Sequence, residues 1–205
     1  MRAQPVNFDV MSLLEDAWRE VWEEPGLMIG GFILFSLLSS AAGGSGIGII
    51  IQGPLFAGIY VMYLKKARGQ STEIKDLFYG FEHFVPTMLI GLVTTIFLFV
   101  GMMCLIIPGL ILWLLYLPVY LVFLDTKDEF WTCMEESRQM VWENFGQWFL
   151  LAFALFLVNL IAGIFTCGLG CLITGPISMM AITLAYVQSV GDAGSPPPIP
   201  DSYEP

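Results

Sequence analysis

The segment that decides the fold reads FGQWFLLAFALFLVNLIAGIF at residues 145–165, TCGLG at 166–170 and CLITGPISMMAITLAYVQSV at 171–190. It contains no Asp, Glu, Lys, Arg or His. As one helix it would be about 70 Å long, whereas the hydrocarbon layer of a bilayer is about 30 Å thick. The glycines at 166–170 favour a chain reversal. The segment therefore predicts two membrane-spanning helices joined by a short turn.

Two further segments without charged residues have the same layout. Residues 25–64 contain AAGGSG at 41–46, and residues 84–124 contain Gly101 and then Pro108-Gly109. Backbone polar groups in lipid must be paired within the chain, so we expect helices. The sequence predicts an all-α polytopic membrane bundle of three helical hairpins. The six spans are expected at 27–42, 47–64, 84–102, 109–124, 147–165 and 171–188.

The composition of the 205-residue chain points the same way. Hydrophobic residues make up 57% of it and charged residues 13%. A soluble domain has about 45–50% apolar and about 25% charged residues. Disordered chains are poor in apolar residues. The composition therefore excludes a water-soluble globular domain and a disordered chain.

The basic residues predict the orientation of the bundle. All eight lie outside the three charge-free segments, and an even number of spans precedes each connector that holds them. Loops rich in Lys and Arg stay in the cytoplasm, so we expect both termini there. Acidic residues precede the first apolar segment, where a cleavable signal peptide would be basic, so the first span is expected to remain as an insertion signal.

The connectors at the cytoplasmic end are predicted to be amphipathic helices at 8–22, 72–83 and 128–143. In the first, Met11, Trp18 and Trp22 share one face with other apolar residues. Tryptophans near the ends of spans are typical of a membrane interface. The net charge of −10 disfavours nucleic acid as a partner.

The chain divides into one membrane domain, 1–190, and a Pro-rich cytoplasmic tail, 191–205. The prolines at 196–198 favour an extended tail. Such a tail is either simply solvated or docks a cytoplasmic protein.

An internal repeat is predicted within the domain. Val21-Trp22-Glu23 resembles Val141-Trp142-Glu143 at an offset of 120 residues, and Gly53-Pro54 resembles Gly175-Pro176 at an offset of 122 residues. Four spans separate the copies, so both have the same orientation. We predict repeat-like units at about 9–64, 72–124 and 128–188.

Few polar residues lie within the predicted spans. A proline inside a span leaves a carbonyl without its usual donor, and broken helices form binding sites in transporters. The alternatives are interhelical packing with local hydrogen bonds or a polar path. The candidates for helix breaks or close packing are Gly53, Pro54, Pro108, Gly109, Gly175 and Pro176, and the polar intramembrane candidates are Gln52, Asn159 and Thr174.

The cysteines and the single histidine offer few possibilities for a catalytic or metal site. Cys104, Cys167 and Cys171 lie near the outer turns, where two of them can form a disulfide or all can pack as small apolar residues. His83 alone cannot form a His-rich metal site. The chain has no H-E-x-x-H, nucleophile-elbow or P-loop motif. We therefore expect no catalytic residue, no metal site and no cofactor.

One group of known proteins shares several features with residues from about 12 to 188. The shared features are Ile107-Pro108-Gly109, Tyr116, Tyr120, Asp125, Glu135-Glu136-Ser137, Trp142, Phe145, Gly175-Pro176 and Tyr186. In these the chain resembles uncharacterised bacterial six-helix membrane proteins related to YciC and to the membrane domain attached to some glycerophosphoryl diester phosphodiesterases. The resemblance implies a helical domain of a bacterial inner membrane and supplies no catalytic residues. We expect no counterpart of the phosphodiesterase domain, so the resemblance does not imply that activity.

The sequence favours a non-catalytic membrane protein. The leading hypothesis is an accessory or structural subunit, or a protein that handles a lipid or hydrophobic solute. Its partners would be the lipid bilayer and a membrane protein or a second copy of the chain. The alternative is a small transporter or channel with a polar path near Gln52, Asn159 and Thr174.

Overall fold

A computed structural model describes residues 9–43, 48–104, 106–166 and 168–191. Within these ranges the chain is helical or forms turns and contains no strand, which confirms the all-α fold. A 3₁₀ turn at Ile74–Phe78 precedes α4. The helices are α1 (Val10–Glu23), α2 (Pro25–Gly43), α3 (Gly48–Ala67), α4 (Tyr79–Glu82), α5 (Phe84–Cys104), α6 (Ile106–Leu115), α7 (Val119–Thr126), α8 (Phe130–Glu143), α9 (Phe145–Phe165) and α10 (Cys171–Val190).

Six helical stretches of the described chain are long and apolar enough to cross a membrane. They form three consecutive pairs, as predicted, and the fourth stretch consists of α6 and α7. The chain is therefore a multi-pass integral membrane protein. The stretches are Pro25–Ala42, Gly48–Ala67, Phe84–Met103, Ile107–Thr126, Phe145–Phe165 and Cys171–Val190.

The three prolines predicted as candidate helix breaks do not interrupt a helix. Pro54 and Pro176 lie inside the continuous helices α3 and α10. Pro108 and Gly109 lie in the first turn of α6, where proline is tolerated. The second hairpin therefore reverses between α5 and α6, within the interval 103–108 that the predicted spans leave for the turn.

The bundle has inner and outer spans. The inner spans are α3, α6–α7 and α10, of which α3 is the most enclosed, with 72% of its apolar stretch buried. The outer spans are α2, α5 and α9, and only 17% to 22% of their residues are buried. The second helix of every hairpin is thus inside, and the first faces outward.

The second and third connectors each pack against the second span of the preceding hairpin. The 3₁₀ turn and α4 pack on α3, and α8 packs on α7. The first connector, α1, packs on α10, the last span of the chain, and so closes the ring. All three connectors lie at the same end of the bundle, which we call the charged end because ion pairs there join the first and second connectors to the ends of α3 and α7.

The face of α1 that packs on the bundle is not the one with the tryptophans. Leu13, Ala17 and Val21 are fully buried. Trp18 and Trp22 are about half exposed, and their ring centroids lie 5.6 Å apart. The small and aliphatic residues of α1 therefore pack on protein, and its tryptophans stay available for the membrane interface.

Candidate functional site

The fourth span is broken near the middle of its apolar stretch. The chain is not helical from Tyr116 to Pro118, between α6 and α7. The hydroxyl of Ser137, which is fully buried on α8, donates a hydrogen bond of 2.8 Å to the Leu115 carbonyl at the end of α6. Pro118 has no N–H to continue the helix. Irregular backbone at membrane depth is tolerated where it is buried in protein or lines a cavity.

A cavity of about 280 Å³ lies beside this break, between α3, α5, the fourth span and α10. Its wall contains no charged residue among those the structure describes. Phe56, Tyr60 and Tyr120 stack along one side, with ring centroids 5.9 Å and 6.1 Å apart. The polar residues of the wall are Gln52, Tyr60, Thr94, Thr95, Tyr116 and Tyr120.

Two hydrogen-bonding groups of this wall, on Thr94 and Gln52, have no partner in the described chain. The Thr94 hydroxyl is buried without a hydrogen-bond partner in the described chain. Thr95 donates to the Gly91 carbonyl of its own helix at 2.7 Å. The Gln52 amide nitrogen donates to Ser39 at 2.6 Å, and its carbonyl oxygen remains open to a donor. Buried polar groups without partners are rare in proteins, so this cavity is suited to a hydrogen-bonding guest.

The three polar residues predicted to lie along one path are in two separate places. Gln52 lines the cavity. Asn159 accepts a hydrogen bond of 2.8 Å from Thr174 and donates one of 2.7 Å to Ser178, away from that cavity. Asn159 and Thr174 thus join α9 to α10, as the packing alternative expects.

The two clusters occupy corresponding positions in their hairpins. Gln52 and Thr174 are 122 residues apart and each precedes a Gly-Pro pair. Their partners, Ser39 and Asn159, are 120 residues apart. The first and third hairpins therefore place a hydrogen bond between their two helices at matching positions, and the internal repeat itself stays a prediction.

A second cavity is an apolar groove of about 500 Å³ between α6 and α9. Its walls include Ile107, Leu110, Phe149, Phe153 and Ala152. Trp113 lines both this groove and the polar cavity. Trp113 therefore borders both spaces.

The glycine candidates serve close packing between helices. A Cβ atom at Gly53 would collide with the Thr87 carbonyl of α5, and one at Gly175 with the Phe32 ring of α2. Gly109 faces Met102 across the second hairpin in the same way. Small residues allow such approach in membrane bundles.

Two buried ion pairs lie at the charged end. Lys65 Nζ is 3.0 Å from Asp76 Oδ1, and both side chains are at most 2% exposed. Arg68 lies 2.6 Å from Asp125, whose side chain is fully buried and also accepts a 2.8 Å hydrogen bond from the Tyr186 hydroxyl. These contacts join α3 to the second connector, to α7 and to α10.

The sequence reasoning missed these pairs because it placed the spans' ends before the charges. The helices continue instead, so Lys65 and Asp125 belong to the last turns of α3 and α7. In the sequence, an ionisable residue directly after each apolar segment, together with Tyr186 in the last span, could have indicated that charges pair at the span ends. Which residues pair depends on how the helices cross, and the sequence does not contain that.

The titratable groups outside the spans have ordinary structural roles. Burial and the nearby Lys127 charge lower the pKa of His83. Burial raises the pKa of the Cys133 thiol. The described chain contains no cluster of three potential metal ligands.

The cysteine pairing stays a prediction. Cys171 has a free thiol, 4.0 Å from the Asn159 carbonyl. Cys167 and the side chain of Cys104 lie outside the described residues, as does the Pro-rich tail beyond Gly191.

Comparison with known proteins assigns no family. No protein-family model matches the chain, nor does any curated protein or solved structure. The resemblance to the YciC-related proteins therefore stays a prediction, and the function has to be argued from the geometry alone.

Proposed function

We propose that this protein is a non-catalytic membrane protein that binds a lipid or hydrophobic solute inside its bundle. The observation that carries the proposal is the cavity at the break of the fourth span. A broken span costs backbone hydrogen bonds in lipid, and the same place combines an aromatic wall with the unpartnered Thr94 hydroxyl. Ligand sites are typically concave and mostly apolar, with a few polar groups.

The residues around the cavity support binding rather than catalysis. Its described wall has no carboxylate, imidazole, ammonium or thiol group. A general acid or base must lie within hydrogen-bond reach of the reacting group, and the tyrosine, threonine and glutamine side chains there have no such neighbour to activate them. We therefore assign the wall to recognition.

The test is to identify what co-purifies with the protein in mild detergent, by mass spectrometry of extracted lipids. Leu98→Trp places a larger side chain in the cavity wall, and Phe99→Trp is the matched control because Phe99 is 65% exposed on the same helix. We expect a stoichiometric lipid or hydrophobic molecule with the wild type and Phe99→Trp, and its loss with Leu98→Trp. Equal recovery from both variants, or no bound molecule, contradicts the proposal.

A small transporter or channel is the second candidate. Gln52 in the cavity and the broken fourth span favour it, since discontinuous helices form substrate sites in transporters. The mutual hydrogen bonds of Asn159 and Thr174 weigh against a path through all three residues. Proteoliposomes that take up small neutral solutes at a rate changed by Gln52→Ala would favour transport over simple binding.

We further propose a bacterial inner-membrane location with the charged end in the cytoplasm, on the basis of the basic residues there. Single cysteines at Lys75 and Lys127, in a chain without native cysteines, test the orientation, and Leu169→Cys on the opposite turn is the control. We expect a membrane-impermeant thiol reagent to label Leu169→Cys in intact cells and the other two only after lysis. Labelling of Lys75→Cys and Lys127→Cys on opposite faces contradicts the topology.

Partner binding is a separate proposal. An accessory role predicts a stoichiometric membrane protein or a second copy of the chain in the purified sample. Truncation after Gly191 tests whether the Pro-rich tail contributes. Recovery of a monomer with lipid and no protein would favour lipid handling alone.

A further inference from the structure

The seam between α6 and α9 differs from the equivalent seams of the bundle. At the α3–α5 seam the Gly53 and Gly91 backbones touch, and at the α2–α10 seam Phe32 packs over Gly175. At the third seam α6 and α9 barely meet, and the groove of about 500 Å³ separates them. One of three corresponding seams therefore stays open toward the lipid.

Large side chains keep this seam open. Phe149, Phe153 and Phe156 on α9 are about half exposed and line the groove together with residues of α6. The rings of Phe149 and Phe153 stack at 6.2 Å. Since the volume lies within the roughly 300–1,000 Å³ typical of small-molecule sites, a hydrocarbon chain can occupy it.

The groove and the polar cavity are neighbours on α6. Trp113 belongs to the wall of both, with 43% of its surface exposed. A molecule that passes the indole edge can place an apolar chain in the groove and a polar end in the cavity. A tryptophan is suited to this position because its ring packs on a chain and its N–H can donate a hydrogen bond.

The chemistry of the cavity selects an uncharged polar end. The described wall offers hydroxyl and amide groups and no cation for a phosphate. Arg138 of α8 lies close enough to Tyr116 to act on it electrostatically, but it is paired with Glu135. Lys65 and Arg68, at the end of α3, are held by Asp76 and Asp125. An ionic head would enter without a counter-charge, which is costly in a membrane interior.

We infer that the cavity and the groove together bind a lipid with an uncharged, hydrogen-bonding head and an apolar chain, the chain leaving through the α6–α9 seam. This inference rests on the proposed function and narrows it to one class of ligand. Acylglycerols and isoprenoid alcohols share this chemistry.

The test uses the full chain in phosphatidylcholine nanodiscs with a small fraction of diacylglycerol that carries bromine on its acyl chains. Bromine quenches nearby tryptophan fluorescence. We expect stronger quenching than with brominated phosphatidylcholine or phosphatidylglycerol at the same fraction, and Trp113→Phe removes the excess. Competition by unlabelled diacylglycerol or by an isoprenoid alcohol shows which source binds better.

Two sets of variants test separately where the polar head and the apolar chain of the lipid bind. Thr94→Val combined with Tyr120→Phe removes two hydroxyls of the cavity, and we expect about tenfold weaker binding, a typical result of losing hydrogen bonds. Ala152→Leu narrows the groove and is expected to weaken binding by a similar factor, whereas Ala154→Leu on the same helix, outside the groove, leaves it unchanged. Circular dichroism confirms that each variant is folded.

The outcomes separate the two proposals. Equal quenching by the anionic phosphatidylglycerol overturns the uncharged head, and no effect of Ala152→Leu overturns the exit through the seam. Either result leaves the proposed function intact if Leu98→Trp still expels the co-purified molecule. If no lipid binds at all, both proposals fail.

Discussion

The helices pack closely at the charged end of the bundle and loosely at the α6–α9 seam. At the charged end, α3 approaches the second connector so closely that Gly58 touches the Leu77 carbonyl, and the buried Asp125 joins three elements. At the seam, phenylalanines of α9 line an open groove between α6 and α9. The comparison teaches that side-chain size and buried polar pairing, rather than hydropathy, decide where the bundle closes.

The largest effect is expected from Asp125→Ala. It leaves Arg68 without its ion-pair partner and Tyr186 without its acceptor. Loss of one member of a buried pair typically destabilises by about 3–5 kcal/mol. Unfolding in mixed detergent and SDS micelles measures the change, and Glu135→Ala, which removes an exposed ion pair, is the control. Similar losses for both variants would contradict the special role of the charged end.

Gly58→Ala is expected to cause the next largest loss in the free energy of unfolding. Its Cβ would fall on the Leu77 carbonyl, where two backbones must separate, and overpacking costs about 1–3 kcal/mol. Gly30→Ala on α2 is the matched control, because nothing lies within 4 Å of its Cβ position. The control should be neutral or stabilising by up to about 1 kcal/mol, since alanine favours helix over glycine. The same unfolding assay compares the pair.

Ser137→Ala tests the break of the fourth span. It removes the 2.8 Å hydrogen bond to the Leu115 carbonyl and leaves that buried acceptor unpaired. The expected loss is about 1–3 kcal/mol. Ser12→Ala, on the exposed side of α1, should change the free energy of unfolding much less. An unchanged stability of Ser137→Ala would show that another donor satisfies the carbonyl.

Ala152→Leu tests whether the open seam accepts a larger side chain without a large loss of stability. Ala152 is only 6% exposed, but it lines the groove, which has room for the added atoms, so the loss of stability should be smaller than at a closely packed alanine. The same substitution at Ala57, fully buried on α3, should cost about 1–3 kcal/mol. Equal costs at the two alanines would mean that the seam is as tightly packed as the interior of the bundle.

The smallest effect on stability is expected from a substitution of Glu135, whose ion pair with Arg138 lies on the exposed face of α8. Hydrogen bonds from Arg138 and Gln139 lower the pKa of Glu135 to about 2 from its ordinary 4.5. A lowered pKa means that the pair stabilises the fold above about pH 4.5 and loses this contribution as the pH falls toward 2. Because both side chains are nearly half exposed, the stability difference from Glu135→Gln should be barely measurable at pH 6 and absent near pH 2. A large difference at pH 6 would contradict this.

The helical hairpins could be predicted because span length and the absence of charge are properties of local sequence. The second hairpin shows the limit. Pro108 and Gly109 suggested the turn, yet they lie inside the first turn of α6. The break in that span is at 116–118, where the Val119 N–H donates to the Tyr116 carbonyl, and Ser137 of a different helix donates to the Leu115 carbonyl in its place.

The candidate site was predictable only in part. Gln52 was singled out as an intramembrane polar residue and does line the cavity. Thr94, Tyr60 and Tyr120 became part of the site because α3, α5 and the fourth span cross there. Asn159 and Thr174 were expected beside Gln52, but their hairpin is a different one and they bind each other.

Hydropathy and charge along the chain were enough to determine that this protein is a membrane protein of three helical hairpins, because the bilayer sets the length and the composition of a span. The tertiary structure alone decided which spans are inside, which charges meet in buried pairs, and which seam stays open. Those outcomes depend on contacts between residues far apart in the chain, where one methyl group more or less decides whether two helices touch.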